Sequence, residues 1–144
     1  MLIHLFDSPL VSMSSHMHEI GAMPEEVHFF YTSRVKGYYN VSNVLALERL
    51  LKISHARRGQ FHLYLFFSGH PSRVLMEEAV PRRRFEPRRV LDSDVLGAFS
   101  NVELKASTLC YVCGPHQMTD HIVELVRGQV SLEINQVLYE KWGE

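Results

Sequence analysis

Two hydrophobic periods alternate along the chain. Residues 1–6 form a short apolar run of strand length, and Asp7-Ser8-Pro9 follows with a capping hydroxyl and a proline suited to the first helical position. The helix predicted next carries Leu10, Met13, Met17 and Ile20 on one face, and Gly21 and Pro24 stop it. Residues 27–32 are aromatic and β-branched, the pattern of a buried strand, and residues 33–40 read as a polar loop. Over residues 41–58, Val44, Leu47, Leu50, Leu51 and Ile53 suit a helix that Gly59 ends, and residues 61–67 are the clearest strand. Residues 68–89, rich in proline and arginine, are the least structured stretch and long for a compact domain. Asp92 is placed to cap a short helix reaching about Phe99, and residues 108–112 read as a strand. Pro115 opens a helix to about Arg127, and residues 136–139 close the pattern as a short strand.

Strands separated by helices imply right-handed crossovers, so the expected fold is a three-layer α/β domain with a parallel sheet of about five strands. Its first strand reads as truncated. Ligands on such sheets bind beyond the carboxyl ends of the strands, which directs attention to Asp7-Ser8, Thr32-Ser33-Arg34, Ser68-Gly69-His70 and Cys113-Gly114-Pro115.

Composition narrows the function classes. The 144 residues fit one domain, and 46% hydrophobic with 22% charged residues is ordinary for a globular chain, excluding disorder and a disulfide scaffold. A net charge of -1 gives no global attraction to nucleic acid or anionic membrane. No apolar stretch approaches the roughly 20 residues that span a bilayer, and no signal or transit pattern is visible at the start.

Arg82-Arg83-Arg84 and Arg88-Arg89 lack the interleaved aromatics of a nucleic-acid surface and read as solvated faces. Nine histidines are scattered without zinc-type spacing: His16 and His18 diverge by about 200° on a helix, and His116 and His121 are five apart. The expected metal set is therefore none. Cys110 and Cys113 form Cys-x-x-Cys, but on a strand that spacing sends the side chains to opposite faces, which disfavours a dithiol centre.

The most specific segment is Cys113-Gly114-Pro115-His116-Gln117-Met118. A strand ends in a small thiol, glycine then lets backbone approach a ligand, and Pro115 presets a helix whose amides point at the site. With Tyr139-Glu140-Lys141-Trp142 near the C-terminus, this segment resembles the pyridine-nucleotide domain of ferredoxin-reductase-type oxidoreductases. Ser8-Pro9-Leu10-Val11-Ser12 resembles the start of that family's first helix, Tyr31-Thr32-Ser33-Arg34 the end of its second strand, and Leu47-Glu48-Arg49-Leu50 the helix after it.

The resemblance implies an NAD(H)-binding module of a flavin-dependent oxidoreductase. It implies Cys113 and Glu140 as catalytic residues beside the path of hydride transfer. Pro9, Thr32, Arg34, Ser68, Cys113, Gly114, Pro115, Met118 and Trp142 are implied to bind the cofactor. Thr32 and Arg34 would hold phosphates, Ser68 the adenine ribose, and Glu140 and Trp142 would approach the flavin. Gly69 follows Ser68 where NADPH-using relatives carry an arginine, pointing to NADH unless His70 or Arg73 substitutes. FAD enters only through a domain absent from this chain or a flavoprotein partner. Family resemblance favours a mitochondrial location, with cytoplasm as the alternative.

One departure supports a rival. The family's first strand runs into a glycine loop that cradles the pyrophosphate, whereas this chain has Leu5-Phe6-Asp7-Ser8-Pro9, with an acidic residue where a phosphate should lie. The rival expectation is a non-catalytic remnant or interaction domain, with a partner protein or self-association covering the face that would dock a flavin barrel.

Overall fold

A computed structural model describes residues 2–5, 9–35, 41–69, 85–100, 108–130 and 132–142. In chain order, the elements are β1 (Leu2–Leu5), α1 (Pro9–Glu19), β2 (Val27–Val35), α2 (Val41–Ala56), β3 (Phe61–Gly69), α3 (Asp92–Ser100), β4 (Cys110–Pro115), α4 (His116–Leu125) and β5 (Val137–Trp142). The chain is a mixed α/β fold. Its strands line up in the order β3-β2-β1-β4-β5, and every neighbouring pair is parallel.

Side-chain alternation along the strands sorts the core into two clusters. Phe29, Tyr31, Phe61, Leu65, Phe67 and Cys113 pack with Leu10 and Val11 of α1 and with Leu47, Leu50 and Ile53 of α2. Phe30, Phe66, Cys110, Val112 and Val137 pack with Val95 and Phe99 of α3 and with Ile122 and Val123 of α4. Cys110 and Cys113 thus belong to opposite clusters, as their spacing on a strand requires.

Several boundaries differ from the sequence pattern, each for a tertiary reason. β2 does not stop at Thr32 but continues to Val35, because Ser33, Arg34 and Val35 pair with Phe67, Ser68 and Gly69 of a β3 that is itself longer than its apolar run. β4 runs to Pro115 and β5 to Trp142, since the two pair along their whole lengths from Cys110↔Val137 to Pro115↔Trp142. Ile20 is not on the buried face of α1; it lies past the helix end, 60% exposed.

The α1 terminus is a Schellman cap. Ala22 N donates to Met17 O and Gly21 N to His18 O, which needs the positive φ of +70° that Gly21 supplies. Arg57, just beyond α2, donates to His18 Nδ1 at 2.8 Å and His18 O at 3.1 Å, tying the two helix ends together.

Pairing holds the described end of the arginine-rich stretch. Glu86 forms a parallel bridge to Phe66, with Phe67 N donating to Glu86 O and Glu86 N to Leu65 O. Arg88 then grips Asp94 with two hydrogen bonds of 2.7 and 3.0 Å and lies over the Phe66 ring at 5.3 Å. At the start of α3, it is Asp94, not Asp92, that caps: its Oδ2 accepts from Leu91 N at 2.7 Å, while Asp92 accepts from the His121 ring at 2.6 Å. α4 also ends differently, its last turn widening into a π-helical turn over Val126–Val130.

Candidate functional site

Chain order reverses on the two sides of β1, which lies between β2 and β4, so the carboxyl ends of β1 and β4 border a topological switch point. Register places the candidate residues along that edge. Leu5 pairs with Thr32, Arg34 with Ser68, Cys113 with His4 and Glu140, and Pro115 with Trp142. Pro9 is the first residue of α1, directly after the residues that follow β1. Asp7, Ser8, His70, Arg73 and the arginines 82–84 lie outside the described residues, as does the Trp142 side chain.

The set divides between the two faces of the sheet. Thr32, Arg34 and Ser68 share the parity of Phe30 and Phe66, on the α3/α4 side, where Thr32 is buried, Ser68 half-buried and Arg34 exposed. Gly114 shares that side with Val112 and is buried. Cys113 and Glu140 belong to the other side. The Cys113 thiol is wholly buried among α1 and α2 side chains rather than presented at the edge.

Glu140 is exposed and accepts a 2.6 Å hydrogen bond from the Tyr111 hydroxyl, a contact that the sequence pattern did not signal. That bond, with burial and the carboxylate's charge, pushes the Tyr111 hydroxyl up to about 12. Tyr111 therefore stays protonated throughout the physiological range and fixes the Glu140 carboxylate as acceptor.

The strand-to-helix turn after Gly114 is held from within. Thr119, fully buried, donates its hydroxyl to Gly114 O at 3.1 Å, and Pro115 supplies an extended cap residue with ψ of 148° but no side-chain cap. Uncapped first-turn amides and the exposed Arg34 guanidinium are the donor types a phosphate-bearing ligand uses. Met118, half-buried, packs against the α3/α4 cluster. Next to the turn, Lys141 pairs with Asp120, joining β5 to α4.

A second polar group sits at the opposite end of the sheet. His28 and His62 are register neighbours on β2 and β3, their rings stacked with centroids 4.7 Å apart. His28 Nε2 is 2.8 Å from Glu26 Oε1, and His28 Nδ1 is 2.9 Å from the Tyr64 hydroxyl. Sequence spacing gave no reason to join these residues, because His28 and His62 are brought together only by strand pairing. The one legible signal was histidine inside two strand-like runs at equivalent depth.

No family model and no curated protein matches the chain.

Proposed function

We propose that the chain is an NAD(H)-binding module of a ferredoxin-reductase-type, flavin-dependent oxidoreductase, its α/β fold being the three-layer nucleotide domain of that family. One observation carries the reading: the strand order β3-β2-β1-β4-β5 creates a switch point with Thr32, Arg34, Ser68, Gly114 and Glu140 at the carboxyl ends around it. The donor set suits a dinucleotide. Arg34 offers two parallel donors to a phosphate, Ser68 a hydroxyl to a ribose, and buried Gly114 a backbone without Cβ at the turn.

NADH held by these residues would supply a hydride to a flavin. What this chain's residues do is bind and orient. Arg34 and Thr32 fix the phosphates, Pro115 and the first turn of α4 set the backbone approach, and the Tyr111–Glu140 pair holds a proton on the tyrosine oxygen. Cys113 acts by filling the space beneath the turn, since its thiol packs into the core.

Binding of NADH and NADPH, followed through the single tryptophan, Trp142, and by thermal shift, tests this reading. The expected result is saturable NADH binding, weaker NADPH binding, and about tenfold or greater loss of affinity in Arg34→Ala. No response to either nucleotide overturns it.

A second reading rests on the β4–β5 edge. Leu138 and Tyr139, exposed on opposite faces of β5, and Leu109 and Ile134, exposed just ahead of β4 and β5, leave apolar side chains on this edge, Ile134 at 70%. A domain that has given up its cofactor would keep such a surface for a flavoprotein, another partner or a second copy. Light scattering decides this arm: concentration-dependent self-association that Leu138→Glu abolishes, without nucleotide binding, favours it.

A further inference from the structure

We propose that the amino end of the β2–β3 pair is a binding site for one divalent transition-metal ion of the zinc class, held by Glu26, His28 and His62. One ligand atom from each residue lies within 4.8 Å of the others. Around a single tetrahedral zinc, with bonds of about 2.0–2.2 Å, ligand atoms sit roughly 3.3 Å apart. Exposed Glu26 and half-buried His62 close that gap by side-chain rotation, while His28 is buried and anchored. The His28 and His62 planes are 19° from parallel, so the swing of His62 is what brings its lone pair onto the shared ion.

An outer partner for a ligating imidazole is already in place. Tyr64 Oη sits 2.9 Å from His28 Nδ1, the position of the outer partner that orients a ligating imidazole. Metal binding uses the neutral tautomer in which Nδ1–H donates to Tyr64 Oη and the Nε2 lone pair takes the ion, so the ring loses no net proton. Nε2 already faces Glu26 Oε1 at 2.8 Å, and the ion enters between them. Two imidazoles with one carboxylate suit zinc, cobalt, nickel or copper, whereas magnesium and calcium prefer all-oxygen sets. Three protein ligands leave a fourth position for water or another exchangeable group.

The site is independent of the proposed nucleotide site. Arg34 lies six positions beyond His28 on β2, roughly 20 Å along the strand.

The test is titration of the chelator-stripped full chain with Co2+, read by visible absorption, and with Zn2+, read by calorimetry. One ion per chain is expected, with a raised melting temperature and no competition from Mg2+ or Ca2+. His62→Gln and Glu26→Gln, neither in the apolar core, should each weaken binding at least about tenfold. Tyr64→Phe should weaken it about 10-fold as an outer partner, and His16→Gln should change nothing. Absence of saturable one-to-one binding, or equal affinity in His62→Gln and the parent chain, overturns the proposal.

Discussion

The two ends of the parallel sheet are built differently. At the amino end, Glu26, His28, His62 and Tyr64 touch one another through hydrogen bonds and stacked rings. At the carboxyl end, Thr32, Arg34, Ser68, Gly114 and Glu140 share an edge and are divided between two faces, and Glu140 bonds to its neighbour Tyr111. A compact set of mutually bonded groups suits a small ion. Donors spread over several strand ends suit an extended ligand that bridges them, as a dinucleotide does.

An aromatic ladder links the amino end to the middle of the sheet. His28 stacks on Tyr64, Tyr64 on Phe30 at 4.6 Å, and Phe30 on Phe66 at 6.2 Å, before Arg88 closes the series over Phe66. Four predictions break or sharpen the contrast between the ends. The largest effect is expected from Phe30→Ala, which removes a side chain 1% exposed at the centre of the ladder. It should cost about 3–5 kcal/mol in urea unfolding and loosen the amino end; a loss below about 1 kcal/mol would show that the ladder is not a packed unit.

At the carboxyl end, Thr119→Val keeps the shape but removes the donor to Gly114 O, a cost of about 1 kcal/mol. If the turn serves nucleotide binding, NADH affinity should fall in this variant while metal affinity stays constant.

The amino end also sets a pH dependence. Burial, opposed by the Glu26 hydrogen bond, holds the His28 imidazole below its usual 6.5. The unfolded chain takes up that proton first, so stability should fall as pH drops from about 6.5 to the lower native value and level off beneath it. Urea midpoints across that window should lose this slope in His28→Phe. An unchanged slope would assign the titration elsewhere.

The smallest effect belongs to Arg88–Asp94. Hydrogen bonding from Arg88 keeps the Asp94 carboxyl below its ordinary 3.8, so the pair's contribution is present above that pH and is lost as pH falls through the native value. Asp94→Asn should lower the melting temperature slightly near neutrality and not at all in strong acid. Added salt should shrink the difference, as for any partly exposed pair.

How much of this was legible depends on range. The helix stop at Gly21 followed from local backbone chemistry, whereas α2 ends at Ala56, three residues ahead of the Gly59 expected to stop it, and both glycines have positive φ. The residues at the carboxyl ends of β2, β3 and β4 were legible because each directly follows an apolar run. The extension of β2 over Ser33, Arg34 and Val35 was not, because those residues are polar or isolated in sequence and become strand only by pairing with Phe67, Ser68 and Gly69. Asp92 was read as the cap of α3 from its position, but Asp94 does the capping because Arg88 holds it there.

The sequence by itself determined the alternation of strands and helices, the opposite faces of Cys110 and Cys113, and the chemistry waiting at the strand ends. These depend on period and on residue type, which act over a few positions. Tertiary structure alone decided the strand order, the burial of the Cys113 thiol, the Tyr111–Glu140 bond and the meeting of Glu26, His28 and His62. Each of these requires a neighbour tens of residues away, and a parallel sheet chooses that neighbour by the packing of whole elements rather than by any local signal.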